Sequence, residues 1–384
     1  MNRLIAVAIP AGPDFVSELR RIFDDGDAAL PVDLRLSRPA RRRLLDSMRP
    51  AAIVTTPEKR EGLPLAFPVE AGDAIVMATS GTTGEPKGVV LTHEAVAASA
   101  RATSARLGVD SSTDRWWACL PLAHIGGLSV VLRSMVEGVG CEVVEGFSAE
   151  GAAAALAGGA TLTSLVPTAL RRLDPSLAAG FRRIVLGGQA PPDDLPGNVV
   201  TTYGMTETGS GVVYDGRPLP SVEVRIAGDG EILLRGPMLL RAYRDGADPK
   251  TGDGWLPTGD SGEIGPAGLL EVRGRMGDVV ITGGENVWPA AVEPVLERHV
   301  AVSEAVVAGR PDAEWGERVT AYVVVIEQVD PARLLAELRE LVRAELAPFM
   351  APRELVIVTE LPKTALGKIE RGGLSRLEGP SAVV

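Results

Sequence analysis

The sequence is poor in cysteine, histidine and aromatic residues. Its 384 residues include two cysteines and three histidines, and Phe, Trp and Tyr together make up 4%. Cys119 and Cys141 show neither metal-type spacing nor the density of a disulfide framework. We therefore expect two reduced, buried thiols and a cytoplasmic protein. No C-x-x-C or H-E-x-x-H pair offers a zinc site.

The sequence also lacks an excess of positive charge and any long apolar run. Its formal net charge of −11 argues against nucleic acid and acidic membranes as partners, but it leaves room for a local basic pocket for an anionic substrate. Pro10 and Pro13 interrupt the apolar N-terminal stretch, so we expect a strand and a turn rather than a signal peptide. Residues 151–170 carry no charge, but Ala, Gly and Thr dominate them and Pro167 interrupts them. We expect a helix and a buried strand there, without membrane insertion.

The sequence does contain a clear change of pattern along the chain. Apolar runs such as AIVMA at 74–78 and RIVLGG at 183–188 are continuous, which is typical of strands covered on both faces of a parallel sheet. Shorter stretches after residue 220 predict antiparallel strands, and the last third predicts a small α+β domain. We therefore predict an α/β fold. Its large N-terminal domain, residues 1–276, has mainly parallel sheets flanked by helices plus a β-rich subdomain, and a small mobile C-terminal domain spans 277–384.

The most distinctive stretch is TSGTTGEPKG at residues 79–88. Its glycines let backbone N–H groups approach phosphate oxygens, its hydroxyls donate further hydrogen bonds and Lys87 adds a positive charge, so the loop suits a polyphosphate. The spacing of a P-loop, G-x-x-x-x-G-K-[ST], is not met, because two residues separate Gly84 from Lys87 and a glycine follows. Taken alone, the stretch would also suit a surface loop rich in turn formers.

Together with the motifs that follow it, this loop resembles the phosphate-binding signature of the adenylate-forming enzymes. That superfamily comprises acyl-CoA synthetases, peptide-synthetase adenylation domains and luciferases. The motifs occur in the family's order and span about residues 75 to 371, and the ordered set is much more specific than any single string. They are LPLAHIGGL at 120–128, GGQAPP at 187–192, YGMTETG at 203–209, GEILLRGP at 230–237, TGD at 258–260, GRMGDVVITGGENVWP at 274–289 and LPKTALGKIER at 361–371.

The resemblance implies an enzyme that uses ATP, Mg²⁺ and coenzyme A. A carboxylic acid would attack the α-phosphate of ATP to give an acyl-adenylate and pyrophosphate, and CoA would then accept the acyl group. The ATP phosphates would be held by the loop residues Thr79, Ser80, Gly81, Thr82, Thr83, Gly84 and Lys87. The adenosine would be bound by Gly187, Gly188, Gln189, Tyr203, Gly204 and Met205, with Asp260 and Arg275 at the ribose.

The resemblance also implies catalytic roles for Lys368, Thr206, Glu207 and His124. Lys368 would contact the reacting oxygens, Thr206 would contact phosphate, and Glu207 would bind Mg²⁺, a hard cation that prefers oxygen ligands. The plain alternatives are an exposed lysine for Lys368, a carboxylate facing water for Glu207 and a structural turn residue for Asp260.

The acid and the acceptor thiol would contact a further set of residues. The acyl pocket would be lined by His124, Gly126, Gly127, Gly209 and Gly211, with Arg133 and Arg172 as candidate partners for a second carboxylate or a keto oxygen. A packed core histidine and solvated helix arginines are the alternatives. Gly277 would be the hinge before the small domain, where many relatives carry Asp or Lys, and Gly283 and Gly284 would leave room for the pantetheine arm.

Within the superfamily, this compact chain most resembles the o-succinylbenzoate:CoA ligases of menaquinone biosynthesis. We therefore predict a ligase that forms carbon–sulfur bonds, with o-succinylbenzoate as the acid. The alternatives are a generic aryl- or medium-chain acyl-CoA ligase, an adenylating enzyme that loads a carrier protein or an amine, and a catalytically silent nucleotide-binding module. A monomer and a homo-oligomer are both compatible with the sequence.

Overall fold

A computed structural model describes residues 2–80, 86–192, 194–363 and 369–384. The chain folds into two compact units. The first consists of Met1–Arg225, Leu233–Pro257 and Pro266–Leu270, and the second of Ile226–Ile232, Thr258–Gly265 and Glu271–Val384. The predicted domain boundary at residue 276 stays a prediction.

The first 222 residues contain strands and helices, with helices between many of the parallel strands. The strands are β1 Leu4–Val7, β2 Ala28–Pro31, β3 Ala52–Thr56, β4 Lys59–Gly62, β5 Asp73–Ser80, β6 Pro86–Thr92, β7 Arg115–Ala118, β8 Gly140–Val143, β9 Leu162–Leu165, β10 Arg183–Leu186, β11 Val199–Met205, β12 Ser210–Tyr214 and β13 Arg217–Pro218. The helices are α1 Pro13–Asp24, α2 Arg38–Met48, α3 His93–Leu107, α4 Ile125–Glu137, α5 Ala149–Ala157, α6 Pro167–Arg171 and α7 Pro175–Gly180.

The remainder of the chain is richer in strands. They are β14 Glu223–Ile226, β15 Glu231–Arg235, β16 Ala242–Tyr243, β17 Leu256–Ile264, β18 Leu270–Arg275, β19 Val280–Thr282, β20 Glu285–Val287, β21 Val302–Asp312, β22 Gly316–Val325, β23 Glu354–Val358 and β24 Ser381–Val383. The helices are α8 Pro289–Leu296 and α9 Pro331–Glu345.

Two sheets dominate the first unit, in the orders β16-β6-β5-β2-β1-β3-β4 and β13-β12-β11-β10-β9-β7-β8. The central pairings of both sheets are parallel, whereas β5–β6, β6–β16 and β11–β12 are antiparallel. The predicted continuous runs are indeed buried strands, because Ala74, Ile75, Val76 and Met77 are each at most 1% exposed. The carboxyl ends of parallel strands meet at one edge, so the loops after β7, β9, β10 and β11 share an edge of the second sheet.

The second unit contains a sheet in the order β20-β19-β22-β23-β24, with β21 paired to β22. Its helix α9 begins at an N-cap, Asp330, whose side chain accepts a hydrogen bond from the Arg333 N–H, and Pro331 occupies the first helical position. Leu334, Leu338 and the other apolar residues of one helical stripe pack into the core of this unit. The α/β prediction with a small α+β unit at the C-terminus is therefore confirmed. No helix in the described ranges is long and apolar enough to cross a membrane.

Candidate functional site

The predicted phosphate loop joins two antiparallel strands of the first sheet. β5 ends at Ser80, β6 begins at Pro86, and their register pairs Thr79 with Lys87. The Thr79 hydroxyl donates a hydrogen bond to the Lys87 carbonyl oxygen over 3.3 Å. This pairing fixes the strand ends on which the loop begins and ends. Four predicted phosphate-binding residues lie outside the described residues, namely Gly81, Thr82, Thr83 and Gly84.

Lys87 and Glu207 both contact one aromatic side chain. The Lys87 ammonium lies over the Tyr243 ring, 5.2 Å from its centroid. The Tyr243 hydroxyl donates a hydrogen bond to Glu207 Oε1 over 3.0 Å. The residue predicted to bind phosphate and the residue predicted to bind Mg²⁺ are thus brought to the same place.

Thr206 and Glu207 lie in a short 3₁₀ turn between β11 and β12. The third residue of the turn, Thr208, is fully buried, and its hydroxyl donates to the Ser210 carbonyl oxygen over 2.6 Å. Gly209 ends the turn with a φ of +68°, a left-handed conformation that favours glycine. The sequence TETGS therefore fixes the backbone from which Thr206 and Glu207 project.

The residues predicted to bind adenosine follow two adjacent parallel strands. Gly187, Gly188 and Gln189 come directly after β10, and Tyr203, Gly204 and Met205 end β11. They therefore share one edge of the second sheet, the kind of edge at which open α/β sheets commonly bind ligands.

Close backbone packing explains two of these glycines. A Cβ atom on Gly187 would lie 2.6 Å from the Thr202 hydroxyl oxygen. At Gly204 the register between β11 and β12 shifts, and a Cβ atom would lie 2.7 Å from Gly211 Cα and clash with the Ser210 carbonyl group. Side chains at these positions would displace the strand ends that carry Tyr203.

His124 occupies the N-cap position of α4, at the same edge of the sheet as the loop after β7. Its Nε2 atom lies 3.3 Å from Asp33 Oδ2 and 3.3 Å from Arg35 Nη2. Arg35 donates two hydrogen bonds to the Asp33 carboxylate, of 2.9 Å from Nε and 2.7 Å from Nη2. Burial raises the pKa of Asp33, but the hydrogen bonds and charge of Arg35 outweigh burial and hold that pKa at about 2. Asp33 and Arg35, which the sequence did not single out, thus hold His124 in a defined polar cluster.

The glycines predicted to make room for the acid occupy different environments. In α4, a Cβ atom on Gly127 would lie 2.5 Å from the Pro121 carbonyl oxygen, so this glycine is required for packing. Of the residues that the structure describes, a Cβ atom on Gly126 would meet only the Leu120 side chain, at 3.9 Å. At Gly211 it would lie 2.7 Å from Thr202 Cβ. Gly126 is therefore the residue of this group with the most space beside it.

The two predicted substrate arginines occupy different surroundings. Arg133 is buried nine residues beyond His124, which is about 13 Å along a helix, and its guanidinium lies 5.8 Å from the Trp116 ring centroid. Its Nε and Nη1 atoms have no hydrogen-bond partner among the described residues. Arg172 is exposed, and its guanidinium lies 5.9 Å from the Phe147 ring centroid. Arg133 is therefore neither exposed to solvent nor next to His124 along α4.

In the second unit, the two predicted ribose-binding residues form an ion pair. Asp260 is 8% exposed, and its Oδ1 atom lies 3.0 Å from Arg275 Nε. Arg275 Nη1 also donates to the Thr258 carbonyl oxygen over 2.7 Å, and the Thr258 hydroxyl accepts from the Asp260 N–H over 3.1 Å. The motif TGD thus forms a compact turn that holds one carboxylate against Arg275.

The remaining predicted residues also belong to the second unit. Gly277 lies in the 3₁₀ turn Met276–Asp278, and no atom of the described part of the chain lies within 4 Å of where its Cβ atom would be. Gly283 and Gly284 have φ angles of +60° and +84°, and a Cβ atom on Gly283 would lie 2.9 Å from the Trp315 ring. Lys368 lies outside the described residues.

Comparison with known families and proteins agrees with these motifs. The family model for AMP-binding enzymes matches residues 17–244, and that for the C-terminal domain of AMP-binding enzymes matches residues 291–368. A 2-succinylbenzoate–CoA ligase of Listeria monocytogenes is 37% identical over 330 residues, which cover 78% of this chain and 69% of the relative. A probable 2-succinylbenzoate–CoA ligase of Mycobacterium tuberculosis is 39% identical over 364 residues, which cover 88% of this chain and 94% of the relative.

Solved structures give the same result. The o-succinylbenzoate CoA synthetase of Bacillus subtilis in complex with the acyl-adenylate intermediate OSB-AMP superposes with a TM-score of 0.86 and 29% sequence identity. The match covers 98% of this chain and 89% of that one. The same synthetase has also been solved in complex with ATP and a magnesium ion, and that structure matches with a TM-score of 0.84.

Proposed function

This chain belongs to the family of AMP-binding enzymes, and on that basis we propose that it is an AMP-forming acid:CoA ligase that acts on o-succinylbenzoate. In the first half-reaction, a carboxylate oxygen of the acid attacks the α-phosphorus of ATP, the acyl-adenylate forms, and pyrophosphate leaves. In the second, the CoA thiol attacks the acyl carbonyl carbon, and AMP leaves. The chain would supply this chemistry to menaquinone biosynthesis.

The observation that best supports the first half-reaction is that Lys87 and Glu207 both contact the Tyr243 side chain. Attack of an anionic carboxylate on a triphosphate needs cations and hydrogen-bond donors near the phosphates. Lys87 supplies a cation next to the phosphate loop, and Thr206 supplies a hydroxyl from the neighbouring turn. Lys368 is proposed as the residue that contacts the reacting oxygens.

The donor set suits Mg²⁺. This ion usually binds one or two carboxylates plus substrate phosphates and keeps several waters, so a single protein carboxylate is sufficient. Glu207 is proposed as that carboxylate. The bound ion would neutralise part of the phosphate charge. No group of three or more His, Cys, Asp or Glu residues in the described ranges could hold a metal without substrate.

The adenine is proposed to lie along the edge formed by Gly187–Gln189 and Tyr203–Met205. In the second unit, Asp260 is proposed to accept hydrogen bonds from ribose hydroxyls. A carboxylate accepts hydrogen bonds well from a diol, and Arg275 holds the carboxylate in place. Gly126 and His124 are proposed to line the acyl pocket. Gly127, Gly209 and Gly211 are proposed to contribute backbone atoms to the wall of this pocket. Arg133 and Arg172 stay proposed partners of a second carboxylate.

The second half-reaction is assigned to the C-terminal domain, proposed as residues 277–384. Gly277 would be the hinge between the two half-reactions, because glycine has no side chain to oppose a change in φ and ψ. Gly283 and Gly284 would border the path of the pantetheine arm.

We place the protein in the cytoplasm without a nucleic-acid partner, on the basis of its net charge of −11 and its two free thiols.

Acid-dependent exchange of labelled pyrophosphate into ATP tests the adenylation step directly. We expect exchange with o-succinylbenzoate, its loss in Glu207→Gln, and a large decrease in Lys368→Ala. Exchange that does not depend on any acid would contradict the proposal. A broad response to benzoates and medium-chain fatty acids would favour a generic acyl-CoA ligase instead.

A further inference from the structure

Tyr243 contacts two oppositely charged residues through two different parts of its side chain. Its ring face receives the Lys87 ammonium at 5.2 Å, and its hydroxyl donates to Glu207 Oε1 at 3.0 Å. Neither contact neutralises a charge, because the ring and the hydroxyl are both uncharged. A direct ion pair between Lys87 and Glu207 would instead reduce the charge that each can offer to a ligand.

The backbone around Tyr243 is bonded to the strand that carries Lys87. Tyr243 pairs with Val89 in the antiparallel register of β16 and β6. On either side of it, the Arg241 N–H donates to the Val90 carbonyl oxygen over 2.9 Å, and the Arg244 N–H donates to the Gly88 carbonyl oxygen over 2.6 Å. These bonds fix the position of the ring relative to β6.

The same segment is bonded to the turn that carries Glu207. The Leu240 N–H donates to the Glu207 carbonyl oxygen over 2.7 Å. Arg241 anchors the segment further, since its Nε lies 2.8 Å from Asp73 Oδ1. The short stretch 240–244 therefore joins the phosphate-loop strand and the 3₁₀ turn within one unit of the chain.

A donor to Oε1 has a specific consequence for a metal-binding carboxylate. It fixes the rotation of the carboxylate group and leaves the other oxygen, Oε2, available to a cation. Groups that orient a metal ligand in this way commonly contribute about 10- to 100-fold to metal affinity. The cation–π contact of Lys87 contributes less, about 2- to 5-fold in affinity.

We propose that Tyr243 is a positioning residue which orients Glu207 for Mg²⁺ and Lys87 for the phosphates of ATP. The proposal rests on the proposed function of Glu207 and Lys87. The Tyr243 hydroxyl would affect Mg²⁺ binding through Glu207, and the Tyr243 ring would affect phosphate binding through Lys87. Two variants can therefore separate the two contributions.

Calorimetric titration with ATP at a series of Mg²⁺ concentrations tests this without depending on turnover. In Tyr243→Phe, which keeps the ring, we expect the Mg²⁺ concentration for half-maximal ATP affinity to rise about 10-fold. ATP affinity at saturating Mg²⁺ should change little. In Tyr243→Leu, which loses the ring as well, ATP affinity at saturating Mg²⁺ should also fall by about 2- to 5-fold.

A matched control is Tyr214→Phe. The Tyr214 hydroxyl is buried in the same unit and bonds Thr103 over 3.2 Å, so this variant also loses one internal hydrogen bond. It should keep the wild-type Mg²⁺ dependence. In a Glu207→Gln background, Tyr243→Phe should have no further effect on Mg²⁺ dependence, because the group through which it acts is gone.

Two results would overturn the proposal. The first is a wild-type Mg²⁺ dependence in Tyr243→Phe, and the second is an equal shift in Tyr243→Phe and Tyr214→Phe. If the wild-type protein binds MgATP but shows no acid-dependent pyrophosphate exchange, the proposed function fails while the Tyr243 assignment is still decided by the titration. If it binds no MgATP at all, both fail.

Discussion

Replacement of Asp260 by alanine should remove the ability of the protein to distinguish ATP from its deoxy analogues. Asp260 is 8% exposed and is held by Arg275 at 3.0 Å, so its carboxylate has one well-defined orientation. A hydrogen bond to a charged group contributes about 1.5–3 kcal/mol, so two ribose hydroxyls on this carboxylate would contribute about 3–6 kcal/mol. The kcat/KM for ATP in the exchange reaction should therefore fall at least about 100-fold in Asp260→Ala.

The assay compares ATP, 2′-deoxy-ATP and 3′-deoxy-ATP in each protein. The wild-type enzyme should disfavour each deoxy analogue by about 10- to 100-fold, which corresponds to the loss of one such bond. Asp260→Ala should use all three nucleotides with similar kcat/KM. Because the comparison is a ratio within one protein, partial loss of folded enzyme cancels. Undiminished discrimination in Asp260→Ala would refute the assignment of the ribose to Asp260.

Three further predictions concern other parts of the structure. Gly127→Ala should destabilise the protein by about 1–3 kcal/mol in urea unfolding, since its Cβ atom would lie 2.5 Å from a backbone carbonyl oxygen, and unchanged stability would show that α4 is packed differently. Burial raises the pKa values of Cys119 and Cys141 to about 12, so at pH 8 the thiolate population, and with it alkylation followed by mass spectrometry, should be about 1,000-fold below that of an ordinary thiol. The expectation of two buried thiols holds for Cys119, whereas Cys141 is only partly buried. Fast labelling would contradict the raised pKa of either thiol and, at Cys119, the burial of the side chain as well. Asp33 has a lowered pKa of about 2 and so stabilises the fold, by about 2 kcal/mol, above its ordinary pKa of 3.8. That contribution should be lost as the pH falls from about 4 to 2, and the difference between wild type and Asp33→Asn in urea unfolding should narrow over the same range; a constant difference would refute the lowered pKa.

The residues proposed to bind adenosine could be placed at strand ends from the sequence, because they are contiguous and follow buried apolar runs. The GGQ and YGMTET motifs are short, and the parallel pairing of β10 and β11 places them on one edge. Glycines at positions 187 and 204 are required by close backbone contacts, which gives these motifs a physical reason for their composition. Asp260 and Arg275, both predicted at the ribose, form an ion pair with each other.

The contacts that the sequence did not reveal all join segments that are far apart along the chain. Tyr243 lies in a two-residue strand, too short to produce a periodic pattern, and reaches Glu207 across 36 positions. Asp33 and Arg35 follow β2, and they reach His124 only because the two sheets are close at that point. Such pairs have no local signal, because they depend on how two sheets pack.

The environment of Arg133 could not be predicted from the sequence for a different reason. A cation in a helix of mostly apolar residues would suit either a solvated surface or an anionic ligand. The structure buries Arg133 with its guanidinium 5.8 Å from the centroid of the Trp116 ring, a third environment for which the sequence has no separate signal. Amino-acid identity alone does not distinguish these three environments.

The measurement that tests the central claim most directly is the mass of the thioester formed by the wild-type protein. The protein would be incubated with MgATP, CoA and a panel of acids that contains o-succinylbenzoate, benzoates and medium-chain fatty acids. We predict a CoA thioester of o-succinylbenzoate, formed in strong preference to the others and absent with Lys368→Ala. Pyrophosphate release without any thioester would point to a carrier protein or an amine as the acceptor. The absence of both products with every acid would contradict the account.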